Sequence, residues 1–297
     1  MIKINLNNKT WQWVTLIFMA FIWGTSFILM KKGLESYNNL QVAALRIFFS
    51  FIFLFPFLFK NLKKLTRKNF VSLLIFGFVG NAIPAFLFTT AQTQISSSLA
   101  GIINSLTPLF TLIVGVLLYR SNVKFFNVLG ILIGFIGAAG LLLKKTSGAF
   151  EGINGFALLI VLATLCYGIN SNVIKYKLKE LSSIEIMSLG FMFIGPFAGI
   201  FLLFSDFSHA VTTENYLINL CYIAILALFS SVIALTIFNI LIKYTTTIFA
   251  TSVTYIIPIF AILWGLFDGE KITMFQIICI IIIFLGVYLV NKNSKKR

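Results

Sequence analysis

Ten apolar runs of about 20 residues each occupy nearly the whole chain. They lie near residues 12–31, 40–59, 70–91, 97–119, 125–143, 153–174, 184–204, 217–242, 247–267 and 274–290. A helix of that length spans the hydrocarbon core of a bilayer, and the connectors are too short for a separate extramembrane domain. Of 297 residues, 59% are hydrophobic and 10% charged, with a mean hydropathy of +1.01. An ordinary soluble domain carries about 25% charged residues, so a soluble enzyme, a disordered chain and a collagen-like fibre are excluded. Cys166, Cys221 and Cys279 stand apart within apolar runs, leaving neither a disulfide framework nor a thiolate metal site. The first run follows Lys3 and Lys9 as a signal peptide would. It is too long for such a segment, however, and no small-x-small cleavage site precedes Lys31 and Lys32, so it is expected to remain as the first helix.

The formal net charge is +15 and the pI about 9.8. In a soluble chain that balance would suggest nucleic acid. Here the basic residues sit in connectors and tails, as in Lys60, Lys63, Lys64, Arg67 and Lys68, or Lys292, Lys295, Lys296 and Arg297. With both termini on the cytoplasmic side, the inner segments hold 17 Lys and Arg and the outer ones 5. The positive-inside rule selects that orientation. No nucleic-acid partner is expected, and membrane lipid is.

The chain also resembles itself. A shift of 150 pairs Phe88 with Phe238, Ala100 with Ala250, Pro108 with Pro258, Phe110 with Phe260 and Gly115 with Gly265. A shift of 140 pairs Phe51 with Phe191 and Pro56 with Pro196; one of 149 pairs Gly137 with Gly286; one of 144 pairs Gly24 with Gly168 and Lys31 with Lys175. Apolar matches are cheap in such a chain, but four of its five prolines fall into register-matched pairs. Five spans per copy would place the second copy upside down, a recurrent plan of secondary transporters with the substrate site between the halves.

Four stretches carry a family resemblance: Trp23-Gly24-Thr25-Ser26-Phe27; Leu45-Arg46; Ser96 to Leu118 around Leu106-Thr107-Pro108-Leu109-Phe110; and Pro258-Ile259-Phe260 through Gly269-Glu270-Lys271 to Gly286-Val287. In their order and spacing the chain resembles the drug/metabolite transporter superfamily, specifically EamA-type members with two EamA repeats. The resemblance implies ten helices, cytoplasmic termini, passage of small metabolites, and a central cavity lined by helices 1, 3, 4, 6, 8 and 9. Glu270 matches an acidic position of the family, while the equivalent Tyr119-Arg120-Ser121-Asn122 carries no acid. A local cap or interface contact is therefore expected of Glu270 rather than a transport role.

No Asp or Glu falls within the ten runs except Glu185, at the very start of the seventh, and the single histidine, His209, lies in a connector. A buried proton relay and a membrane-embedded enzyme both lack their groups. Arg46 is the one charge well inside a run; it reads as an anion contact, as a structural clamp on carbonyls, or as snorkelling to the interface. Asn104, Thr107, Pro108 and Thr111 form one helical stripe, and Thr251, Thr254, Tyr255 and Pro258 the equivalent one. Trp23, Thr25, Asn81, Tyr167, Asn170, Ser230 and Asn239 add polar or aromatic groups in four other helices. Each alone fits a helix–helix hydrogen bond; together they suggest a cavity. Pro108 and Pro258 are expected as matched kinks, serving as hinges or packing bends. Gly130, Gly134 and Gly137 offer a small-residue face for internal packing or a weak homodimer.

The reading is an all-α integral membrane protein of ten transmembrane helices in two inverted five-helix repeats. The first EamA-like repeat covers 12–145 and the second 152–292, with short cytoplasmic tails at 1–11 and 293–297. It is expected to be a non-enzymatic secondary transporter of the plasma or bacterial inner membrane, needing no cofactor or metal. It would export small organic metabolites, such as amino acids or drug-like compounds, by alternating access as a monomer or weak homodimer; an uptake permease is the alternative. The substrate-binding residues expected are Trp23, Thr25, Asn81, Asn104, Thr107, Tyr167, Asn170, Ser230, Thr254 and Tyr255, with Pro108, Pro258 and Arg46 structural. The orientation is checked by labelling introduced cysteines with an impermeant reagent on whole cells: Ser147→Cys and Ser208→Cys should react, and Asn69→Cys and Ser294→Cys should not. The reverse pattern would invert the topology.

Overall fold

The computed structural model describes residues 6–121, 125–146, 149–270 and 273–292, so Ser147 and both terminal tails beyond these bounds lie outside the described residues. The helices run in order as α1 (Lys9–Leu34), α2 (Asn39–Asn61), α3 (Arg67–Ala91), α4 (Ser97–Tyr119), α5 (Phe125–Leu142), α6 (Gly155–Tyr176), α7 (Ser183–Leu203), α8 (Tyr216–Tyr244), α9 (Thr247–Phe267) and α10 (Met274–Lys292). Among the described residues eight of them, α1–α4 and α6–α9, are long and apolar enough to cross a membrane. One departure from an all-helical chain is a short antiparallel ribbon, β1 (Leu143–Thr146) and β2 (Ala149–Ile153), which joins α5 to α6.

The helix starts follow from their caps, and the caps repeat. Asn38 and Gln41 form a capping box at the start of α2; Ser182 and Glu185, 144 residues later, form one at the start of α7. Each box satisfies two backbone donors that the helix leaves open. Ser96 accepts from Leu99 N at the start of α4, and Thr246, 150 residues later, from Phe249 N at the start of α9.

The irregularities repeat as well. α3 widens into a π segment over Phe78–Ala82, and α8 does so over Leu226–Ala234. α4 stops at Asn104 and resumes at Thr107; α9 stops at Thr251, passes through a 3-10 turn over Ser252–Tyr255, and resumes at Ile257. Pro108 and Pro258 sit in the first turn of the resumed segments, where a missing N–H costs nothing. The kinks expected from sequence are therefore complete breaks, with the prolines restarting the helices.

Contacts between the halves run crosswise. Gly24 of α1 lies against Phe260 and Ile257 of α9, while its match Gly168 of α6 lies against Phe110 and Thr111 of α4. Gly137 of α5 meets Ile283 of α10, and Gly286 of α10 meets Gly134 and Gly130 of α5. The α5 glycine face is thus spent on internal packing. Phe48 and Phe51 of α2 cover Gly199 and Gly195 of α7.

The crossings leave no room for a methyl group. A Cβ on Gly168 would lie 2.8 Å from the Phe110 carbonyl carbon and 2.9 Å from Thr111 N, and backbone yields little. Gly168→Ala should lower stability by about 1–3 kcal/mol in thermal unfolding of the purified protein. Gly155→Ala, with nothing within 4 Å of the added carbon, should stay within about 0.5 kcal/mol of wild type. Equal stabilities would show that the α4–α6 crossing has slack.

Candidate functional site

The four irregular segments converge on one cavity, with about 760 Å³ of empty space, its mouth included. Gly80 and Asn81 reach it from the π segment of α3, and Ser230 and Ser231 from that of α8. Asn104 and Thr107 flank the break in α4; Thr251, Val253 and Thr254 flank the one in α9. Irregular backbone at membrane depth is tolerated where it is buried in protein or lines such a space. Regular helix completes the wall with Trp23, Ser26, Phe27 and Met30 of α1, Phe88 of α3, Tyr167, Asn170 and Ser171 of α6, and Leu235 and Phe238 of α8.

The aromatic groups obey the same crosswise rule as the glycines. Trp23 meets Phe238 edge-on with ring centroids 5.4 Å apart, and Tyr167 stacks with Phe88 at 6.0 Å. Phe88 and Phe238 are 150 residues apart, so each half supplies one ring to each pair. Trp23 Nε1 also donates to Ser230 O at 3.1 Å.

Eight of the ten substrate-binding residues expected from sequence line this cavity: Trp23, Asn81, Asn104, Thr107, Tyr167, Asn170, Ser230 and Thr254. Thr25 and Tyr255 do not. Thr25 Oγ1 donates to Phe21 O and accepts from Trp264 Nε1 at 2.9 Å, on another face of α1. Asn81 Nδ2 donates to Phe76 O, and Thr107 Oγ1 to Asn104 O. Asn170 Oδ1 and Ser230 Oγ, on residues 3% exposed, have no hydrogen-bond partner among the described residues. Arg46 also lines the cavity, with its Nε donating to Ser231 Oγ at 2.8 Å. Among the described residues the partner of its Nε is this hydroxyl rather than a backbone carbonyl. Phe88 and Phe238 carried a sequence signal, their register match, which their apolar character hid. Among the described residues no group of three or more His, Cys, Asp or Glu could hold a metal ion.

Beside the cavity an ionic cluster ties α1 to α4 and α9. Lys31 Nζ contacts Asp268 Oδ2 at 2.7 Å and Glu270 Oε1 at 3.0 Å; Lys32 Nζ contacts Glu35 and Asp268. Glu270 also accepts from Ser97 N at 2.9 Å, Ser98 N at 3.0 Å and Ser98 Oγ at 2.7 Å. It thus caps the first turn of α4, where the helix dipole favours an anion, and acts as the interface contact expected of it. Burial raises the Glu270 pKa, and hydrogen bonds from Ser98, Ser97 and Lys31 outweigh it, leaving the carboxyl below its ordinary range. Hydrogen bonding to Lys31 likewise lowers Asp268. Lys175, the match of Lys31, finds backbone instead: its Nζ donates to Ile242 O and Thr245 O.

The EamA-like transporter family matches this chain at residues 10–143 and again at 155–292. A relative in Escherichia coli (strain K12), the inner membrane transporter YedA, is 26% identical over 283 residues, covering 92% of this chain and 88% of that protein. A protein of Chlamydia trachomatis serovar L2 named as an S-adenosylmethionine/S-adenosylhomocysteine transporter is 25% identical over 272 residues, covering 87% and 82%. One solved crystal structure superposes with a TM-score of 0.67 at 14% identity over 97% of this chain and 98% of that one. That likeness is one of fold.

The ionic cluster sets a pH dependence. Because the folded pKa values of Glu270 and Asp268 are depressed, their contribution is complete above the ordinary carboxylate range and lost as pH falls through the folded values. Thermal stability should hold from about pH 8 to 5 and fall below about pH 4. Glu270→Ala should cost about 1.5–3 kcal/mol at neutral pH, mostly through the backbone and Ser98 bonds, since Lys31 is 35% exposed and water screens it. The variant should also lose part of the acid-side drop. An unchanged pH profile in the variant would show that Glu270 is dispensable to the fold.

Proposed function

The chain belongs to the EamA-like transporter family, and from that premise we propose that it is a secondary carrier exporting small organic metabolites through the central cavity. It is a multi-pass membrane protein, and in this reading all ten helices span a bacterial inner membrane with both termini cytoplasmic. The two five-helix halves lie inverted to one another and rock about the cavity between them. The observation that carries the reading is the pairing of Trp23 with Phe238 and of Tyr167 with Phe88. A site whose walls come from both halves changes shape whenever one half tilts against the other. The breaks before Pro108 and Pro258 fit the same scheme, because each lets its helix bend without losing bonds inside a regular turn. The chemistry available is binding rather than catalysis: hydroxyls, amides, aromatic faces and one guanidinium, with no base or nucleophile pair among the cavity residues.

Purified protein in proteoliposomes tests this, with a panel of amino acids, aromatic acids and S-adenosylmethionine, the last because one relative is named for it. At least one compound should move, with saturable kinetics. Trp23→Ala and Tyr167→Ala should weaken its binding while membrane insertion, which follows span hydrophobicity, is unchanged. Asn104→Ala should cost about 0.5–3 kcal/mol of affinity. Wild-type affinity in all three variants would place the site elsewhere.

A further inference from the structure

Among the described residues Arg46 is a cation without a paired carboxylate. Its Nε is held by the neutral hydroxyl of Ser231, and no Asp or Glu is paired with it among the described residues. Its own backbone carbonyl accepts from Ser50 Oγ at 2.7 Å. The guanidinium belongs to the cavity wall, facing a space that also holds the unpartnered Asn170 Oδ1 and Ser230 Oγ. A charged side chain at membrane depth is costly to hold there. One neutral hydrogen bond does not offset that, whereas a buried charge is ordinarily balanced by an opposite one. The fork of terminal N–H groups is shaped for the two oxygens of a planar oxyanion.

We propose that Arg46 is the substrate's anion-binding group, and that the carrier takes small carboxylates bearing a planar or apolar body. Three features set that class. The single guanidinium matches a single negative charge. The rings of Trp23, Tyr167, Phe88 and Phe238 give the body apolar faces to lie against. Asn170 Oδ1 and Ser230 Oγ remain for a polar substituent between the two ends. A free cation as substrate would meet a like charge in the cavity and no carboxylate to balance it.

The proposal rests on the carrier reading, and the test separates the two. Equilibrium binding to purified protein at neutral pH compares 3-phenylpropanoate with its neutral amide, with 2-phenylethylammonium and with 2-phenylethylphosphonate. The carboxylate should bind at least tenfold tighter than the amide, the amine weakest. Arg46→Gln should abolish that preference by weakening the carboxylate tenfold or more and the amide less than threefold; Arg46→Lys should retain part of it. Thermal unfolding reports whether each variant folds, and the wild-type order of affinities stands as a test without them. Equal binding of carboxylate and amide, tighter binding of the amine or phosphonate, or an equal loss for both probes in Arg46→Gln would overturn the proposal. Flux of the amide or amine without flux of the carboxylate also overturns it and leaves the carrier reading intact. Carboxylate-selective binding without transport of any compound overturns the carrier reading instead.

Discussion

Hydrocarbon offers no hydrogen-bond partner, and every polar group in this bundle is placed under that constraint. Regular helix satisfies its own backbone, so α1, α2, α6 and α7 run unbroken. The backbone departs from regular helix in α3, α4, α8 and α9, at matched positions in the two halves, and the residues at those departures line the cavity. The cavity is therefore the place where the fold can keep free carbonyls, hydroxyls and one guanidinium. Its polarity is a requirement of the backbone before it is a property of any ligand site.

Close approach of the halves depends on glycine. Gly24 and Gly168 let α1 and α6 sit on the backbones of α9 and α4, and the aromatic pairs form alongside those crossings. The pairing is symmetric at the cavity and asymmetric beside it. Lys31 meets two carboxylates and a capped helix start, while Lys175 meets two backbone carbonyls. One lysine is held by charge and the other by weaker neutral acceptors, so the energetic cost of parting the helices differs at the two contacts.

Much of this was legible in the sequence. The apolar runs gave the helices to within a few residues, and the 150-residue offset foreshadowed matched breaks at Pro108 and Pro258. Thr25 lies off the cavity for a simple reason: it is two residues from Trp23, about 200° around a helix, and does not share its face. Tyr255 lies off the cavity for a subtler reason. It ends a 3-10 turn, which advances about 120° per residue rather than 100°, so a stripe extrapolated from Thr251 drifts off the cavity. The π segments of α3 and α8 have no residue signature in an apolar run, and the cavity positions of Gly80 and Ser231 were hidden with them. Arg46 was visible as a charge, but its direction depended on Ser231 in the other half.

That last dependence reaches into how the protein is made. Ser231 follows Arg46 by 185 residues. At about 5–20 residues per second, the ribosome needs roughly 10–40 s to deliver one after the other. For much of that interval the newborn first half has half a cavity wall, an unmatched ring at Trp23, and a guanidinium awaiting its hydroxyl. The second half is then less an added copy than the scaffold on which the first completes its fold.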